Sequence, residues 1–312
     1  MPLTINTNAA AVAANYHLSR NNAALQKSLT RLSSGSRINK PSDDAGGLAV
    51  SMKLNASINR LQGVNNNIQN AISFMEVQDG ILEGAAGILT RMGELKSLSQ
   101  DVLKNASDKA NYNAEFMSLQ EQLYQIGNES FNGVSLFATT AERVGTTQAV
   151  FGGNNSVDNT VSIFTSESGS AGSLVSINKA ALLSAVTFLN TSNATSVAFA
   201  DNNGATTQSF AADGSTNTVN LDAIGTSFFT QALENIATLR ADNGGTASRL
   251  NFALEHANRT QSNLEAANGR IVDVDIAAES TRLAKYNILV QASASMLSQA
   301  NVAPNAALML LS

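Results

Sequence analysis

The residues of this chain best suited to acid–base or metal chemistry are two adjacent carboxylates, Asp43 and Asp44, and two histidines, His17 and His256. A catalytic carboxylate pair needs surroundings that push its two pKa values apart, or a nucleophile to activate. No histidine or nucleophile signature stands near Asp43-Asp44. Neither histidine has a second ligand three or four residues on, the spacing that sets two donors on one helix face. With 0 cysteines, thiolate nucleophiles, thiolate metal sites and disulfides are absent together. No nucleophile elbow, phosphate-binding loop, dinucleotide fingerprint or zinc spacing occurs. The expectation is a protein that is not an enzyme and carries no metal and no cofactor. What surrounds Asp43 is charge of the other sign. Arg20, Lys27, Arg31, Arg37 and Lys40 precede any acid, and Asp43-Asp44 reverse the charge. Such a reversal suits a docking contact between copies, with Gly35 as the bend. It equally suits the start of a helix, where carboxylates are favoured.

The elements that position these residues are long helices drawn from both ends of the chain. Residues 1 to 19 and 286 to 312 contain no Lys, Arg, Asp or Glu. They carry apolar stripes, Val12, Tyr16 and Leu18 at one end, Ile288, Leu289, Val290, Met296 and Leu297 at the other. Asn287, Gln291, Ser295 and Ser298 form a polar face without charge. A helix of this kind suits burial among neighbours that accept its amide and hydroxyl groups. Between the ends, Ile58, Leu61, Asn65, Ile68, Ile72, Met75, Asp79, Leu82, Ala86 and Leu89 alternate spacings of three and four, a heptad seam. An overlapping register continues through Ile88, Met92, Leu95 and Val102. Residues 105 to 113 are turn-rich, and Phe116, Leu119, Leu123 and Ile126 begin a second helix. Leu250, Leu254, Ala257, Gln261, Leu264, Asn268 and Ile271 repeat the seam; the long N-terminal helix is its natural partner.

The middle of the chain differs. Val186–Leu189, Ser196–Phe199 and Thr218–Leu221 are β-prone runs, separated by Asn203-Gly204 and Asp213-Gly214, dipeptides that favour hairpin turns. The fold class expected is mainly α, with long antiparallel coiled-coil-like helices from both chain ends and a small β-rich inserted domain at 166–225. The net charge of −5 sits entirely within residues 144 to 239, which hold one base and six acids; the rest balances at 18 and 18. No basic stripe is left to track phosphates, so nucleic acid is not an expected partner. The N-terminal residues lack a basic region followed by an apolar one, so no secretory signal peptide is expected. The uncharged C-terminal stretch is too polar for a membrane span.

Several separated motifs resemble bacterial flagellins. Arg31-Leu32-Ser33-Ser34-Gly35-Ser36-Arg37-Ile38-Asn39, followed by Asp43-Asp44-Ala45-Gly46, is similar to the family's N-terminal signature. Phe131-Asn132-Gly133 matches its turn, and Val150-Phe151-Gly152-Gly153-Asn154 its strand region. Thr238-Leu239-Arg240-Ala241-Asp242, Arg270-Ile271-Val272-Asp273-Val274-Asp275 and Gln299-Ala300-Asn301 fit the C-terminal pattern. The resemblance covers roughly residues 1 to 155 and 230 to 312, in order.

The resemblance implies a filament subunit used for swimming, exported unfolded and assembled at the filament tip outside the cell. It implies inner-tube helices at 1–44 and 273–312, a helical outer-tube domain at 45–165 and 226–272 with a β-hairpin segment, and a surface-exposed insertion at 166–225. The contacts between copies would fall on Arg31, Leu32, Gly35, Arg37, Ile38, Asp43, Asp44, Arg270, Ile271, Asp273, Leu289, Leu297 and Asn301. Implied partners are further copies in a helical homopolymer, the flagellar export apparatus, a flagellin chaperone, and filament cap and hook-associated proteins. Leu89 to Leu95 resembles the segment read by the flagellin-sensing Toll-like receptor, with Arg91, Leu95 and Glu115 carrying over and Gly93 in place of the usual arginine. A hook–filament junction protein, which shares the terminal helices, and a secreted adhesin with a ligand-binding middle domain are the competing readings. An adhesin would need a concave aromatic site, and residues 166 to 225 offer Phe188, Phe199 and Phe210 without Trp or Tyr.

Overall fold

The structure is a computed structural model that describes residues 8–138, 160–186, 188–189, 207–208 and 220–309. In chain order its elements are α1 (Ala9–Ser34), α2 (Ala45–Ser99), α3 (Ala106–Gly127), β1 (Ser130–Phe131), β2 (Val134–Ser135), β3 (Thr160–Phe164), β4 (Leu174–Asn178), α4 (Leu182–Ala185), β5 (Phe188–Leu189), β6 (Thr207–Gln208), α5 (Thr226–Val272) and α6 (Ile276–Met309). They fall into two compact units, Met1–Asn59 with Thr260–Ser312, and Arg60–Arg259. Helices α2 and α5 contribute to both.

In the first unit, α1 begins where the Asn8 side chain accepts from the Ala11 amide at 3.1 Å, satisfying one of the orphan donors of a helix start. It ends at Gly35, whose φ of 69° is the left-handed closure that glycine adopts without a Cβ penalty. Helix α1 lies antiparallel to α6. Asn8 Nδ2 donates to the Ala300 carbonyl at 2.7 Å, Asn21 Nδ2 to Ser293 Oγ at 2.9 Å, and Ser28 Oγ to Glu279 Oε1 at 2.5 Å. Polar contacts therefore stitch the pair. Apolar burial adds a partial share: Leu18, Leu25, Leu289 and Leu297 are half-buried, and Ser28 is the one fully buried residue of α1.

The second unit has an ordinary core. Along α2, Leu61, Val64, Ile68, Met75, Leu82, Leu89, Met92 and Leu95 are buried at the three-four spacing of a helix face. Helix α5 answers with Phe228, Phe229, Ala232, Ile236, Leu250 and Ala257, and α3 with Phe116 and Leu123. Asn65 Nδ2 donates to Asn258 Oδ1 at 2.8 Å, Arg240 pairs with Asp79 at 2.9 Å, and Gly93 lies against Phe229. The register is thus antiparallel across this unit, as the matching seams predict. Phe116 and Phe229 meet edge to face at 6.2 Å. Strands β1 and β2 form a tight hairpin through Asn132 (φ 50°) and Gly133 (φ 80°), the two positive φ values that a type I′ turn requires. Strands β3 and β4 pair antiparallel, from Thr160 opposite Asn178 to Phe164 opposite Leu174. Buried Gln78 ties both β pieces to α2, donating through Nε2 to the carbonyls of Leu136 at 2.5 Å and Asn178 at 3.5 Å.

Some expectations need correction. Helix α2 runs 55 residues, but it stops at Ser99, so Val102 is not in its seam and is 95% exposed. Ser99 Oγ donates to the Lys96 carbonyl at 2.8 Å, and Asp101 Oδ1 accepts from the Leu103 amide at 3.0 Å; these local bonds turn the chain out of the helix. The turn-rich stretch after Asn105 is already helix. Asn105 and Asp108 form a reciprocal capping box that starts α3 at Ala106, so the polar residues there open a helix instead of a turn. Leu221 heads a 3₁₀ turn instead of ending a strand, its amide donating to Asn113 Oδ1 at 2.8 Å. Buried Lys96 holds the same turn through its Leu221 carbonyl contact at 2.9 Å, and burial lowers its pKa. Within 166–225, Val175, Ile177, Ala180, Leu182 and Val186 belong to the core of the second unit, and the β3–β4 pair joins residues 160–164 to 174–178. The runs at 196–199 and 218–219, both hairpin dipeptides, and residues 150–154 lie outside the described residues.

Candidate functional site

The charge reversal at residues 31–44 is built from the helix ends outward. Beyond Gly35, Ser36 bridges Asp273. The Arg37 amide donates to the Val272 carbonyl at 2.6 Å, and the Val274 amide to the Gly35 carbonyl at 3.0 Å. The two linkers, α1 to α2 and α5 to α6, thus hold each other by main-chain bonds. Arg37 Nη2 donates to the Ile271 carbonyl at 2.8 Å, placing a cation at the negative end of α5. Ile38 is buried. Gly47 lies under two side-chain tips: a Cβ there would stand 2.8 Å from Ile38 Cδ1 and 2.5 Å from Asp44 Oδ2, and both would have to shift.

The two carboxylates do separate work. Asp43 takes the Lys27 ammonium at 2.6 Å and the amides of Asn39 and Lys40 at 3.3 Å. The lysine hydrogen bond, with those amides, holds the Asp43 carboxyl below the usual aspartate value. Asp44 Oδ1 accepts from the Gly47 amide at 2.8 Å and caps α2. Arg31 is half-buried beside them, with its Nε buried and lacking an acceptor. Leu32, Ile271, Leu289 and Leu297 are half-buried, whereas Arg270, Asp273 and Asn301 are exposed. The structure therefore gathers Gly35, Arg37, Ile38, Asp43, Asp44, Ile271 and Asp273 at one pair of linkers. Leu289, Leu297 and Asn301 stand farther along α6.

The uncharged terminal helices divide their apolar residues between two directions. Leu18, Leu289, Val290 and Leu297 are half-buried, while Val12 (70%), Tyr16, Ile288 (65%) and Met296 (66%) are open to solvent. Asn287, Gln291, Ser295 and Ser298 are exposed too. The polar links that do form, Ser28 to Glu279 and Asn21 to Ser293, join residues 251 and 272 positions apart. No local spacing could have announced them.

On α2 and α3, Arg91 Nε donates to Glu115 Oε1 at 2.8 Å and its Nη1 to Glu94 Oε2 at 3.1 Å. The Glu115 hydrogen bond, then that of Glu94, raises the Arg91 pKa. Leu95 does not share this exposed face: it is fully buried in the core, because its position in the seam points it towards α3 and α5. Among the described residues no cluster of three His, Cys, Asp or Glu could hold a metal ion, and no helix is long and apolar enough to cross a membrane.

Residues 5–142 match the bacterial flagellin N-terminal helical region, and residues 226–311 the bacterial flagellin C-terminal helical region. The chain is 33% identical to a flagellin of Bacillus subtilis, over 99% of this chain and 100% of the relative. It is 31% identical to the flagellar filament 33 kDa core protein of Treponema phagedenis, again over 99% and 100%. A solved Bacillus cereus flagellin aligns with 62% of this chain and 88% of its own at 20% identity, with a TM-score of 0.41, too loose a likeness to build on. Matches at both ends in the right order, joined by relatives aligned from end to end, place the chain in the bacterial flagellin family.

Proposed function

We propose that this chain is a structural subunit that polymerises into the bacterial flagellar filament used for swimming, and performs no catalytic step. The observation that carries this reading is the α1–α6 pair. Its links are polar, and Val12, Tyr16, Ile288 and Met296 face solvent. Apolar burial stabilises by about 25 cal/mol per Å², and this pair leaves that gain to be made against other copies. Heterologous contacts that do not close produce an open helical filament. Residues 1–44 and 273–312 then form the inner tube, 45–165 and 226–272 its outer wall, and 166–225 the solvent side, anchored to the wall through Val175, Ile177, Ala180, Leu182 and Val186. Arg31, Leu32, Arg270, Leu289, Leu297 and Asn301 supply contacts between copies, while Gly35, Arg37, Ile38, Asp43, Asp44, Ile271 and Asp273 set the angle at the linkers.

The same reading includes export of the unfolded chain by the flagellar apparatus, escort by a chaperone, addition at the tip under a cap, and attachment through hook-associated proteins. It places the assembled protein outside the cell. Recognition by a flagellin-sensing Toll-like receptor would rest on Arg91 and Glu115, with Leu95 supporting them from the core. The test is electron microscopy of purified chain seeded with filament fragments under salting-out conditions, which strengthen apolar burial. Long, regular tubes are expected. A chain lacking 286–312 should stay soluble with its second unit folded; normal tubes from that truncation would sink the inner-tube assignment.

A further inference from the structure

The turn between α2 and α3 presents Val102 and Leu103 almost wholly to water, at 95% and 91% exposure. The turn is shaped, not slack. Asp101 Oδ1 accepts the Leu103 amide at 3.0 Å, and the Asp101 carbonyl accepts the Lys104 amide at 3.2 Å. The result is an apolar knob held outward by its own hydrogen bonds.

On the same unit, α2 and α5 enclose an open trough of about 670 Å³. Its apolar lining includes Met75 and Ile236, and small residues such as Ala237 and Ala241 keep it open. Asn243 lines it as well. That side chain is only 4% exposed, and its Nδ2 is buried without an acceptor. A buried amide donor left unpaired is costly; with less than 1 Å² of its surface open, this Nδ2 meets an incoming acceptor once the Asn243 side chain turns into the trough that it lines. Arg240 pairs with Asp79 at 2.9 Å and Glu83 at 3.1 Å, one cation against two carboxylates, which leaves a negative balance. Glu76, also in the lining, has the sign opposite to Lys104 beside the knob.

We propose that the Val102–Leu103 knob of one copy seats in the α2–α5 trough of the next, with a carbonyl of the 100–105 turn accepting from Asn243 and Lys104 meeting Glu76. The inference rests on the filament reading and names one of its contacts. The knob lies about 20 residues beyond the middle of the trough along α2, roughly 30 Å at 1.5 Å per residue. Neither element can therefore satisfy the other within its own chain. A knob and a pocket at different places on one molecule make a head-to-tail contact that repeats without closing. Both sides of this contact lie within the second unit.

The protein has 0 cysteines, so a full-length chain carrying Leu103→Cys and Ala241→Cys reports this contact without background. Filaments of that variant, grown from seeds under reducing conditions, oxidised and then denatured, should run as a ladder of covalent multimers. Either single variant should run as monomer. A second variant, Leu103→Asp, removes nothing from the core; it should elongate at least tenfold more slowly than wild type while melting at the same temperature. Regular filaments without a ladder, or wild-type elongation by Leu103→Asp, would overturn this contact and leave the filament reading standing. Failure of the wild-type chain itself to elongate under the same conditions would instead overturn the filament reading.

Discussion

A residue's chemistry in this protein is decided by what reaches it from far along the chain. Asp43 illustrates this. The charge reversal was legible as five cations followed by two acids, yet the sequence could not say that Lys27 is the partner or that Asp44 caps a helix. Those roles depend on Gly35 turning the chain back on itself. A prediction follows from the direction of the Asp43 shift. Its carboxyl titrates below the ordinary value of 3.8 when folded, so it contributes stability above that value and loses the contribution as pH falls through its folded pKa. Asp43→Asn filaments should therefore depolymerise at a lower temperature than wild type at pH 7. The difference should close below pH 3.8; a difference that persists unchanged into acid would show that Asp43 acts by shape alone. Leu95 teaches the converse. It stands four residues from exposed Arg91, only about 40° round the helix, yet it is fully buried: the margin of the core face falls between the two.

At the scale of elements, the helices were legible because their packing repeats every three or four residues, and local spacing is what a sequence displays. Their ends were not. Helix α2 stops where Ser99 and Asp101 bond to nearby main chain, and α3 starts where Asn105 and Asp108 cap each other. These few polar groups override the apolar period that seemed to continue to Val102. The β pieces were harder still, since Gln78 fixes them through carbonyls 58 and 100 residues away. Glycine gives this scale its test. Gly84 and Gly87 lie inside α2 with open space where a Cβ would go. Replacing either with alanine should raise the stability of the second unit by about 1 kcal/mol, measured by thermal unfolding of the monomer. If the same variants then fail to elongate seeds, the open space belongs to a neighbouring copy. An unchanged or lower melting temperature would mean that the glycines relieve strain within α2 itself.

At the scale of the whole molecule the two units differ in what holds them. The second unit buries Phe116, Phe228, Leu82 and Met92 completely, whereas α1 buries Ser28 alone. Hydrogen exchange should register that contrast. In the monomer, amides of α1 and α6 should exchange fast while those of α2 around Leu82 are protected; in filaments, α1 and α6 should become the slower class. Equal protection of α1 in monomer and filament would remove assembly as the source of its order. The arrangement also has a consequence in time. The bond from Asn8 to Ala300 spans 292 positions. At a synthesis rate of about 5–20 residues per second, α1 waits roughly 15–60 s before its partner exists. During that interval it carries three cations, Arg20, Lys27 and Arg31, and no acid, and it buries too little surface to collapse alone. The first helix made is thus among the last to gain its partner, and its contacts with α6 wait for the far end of the chain.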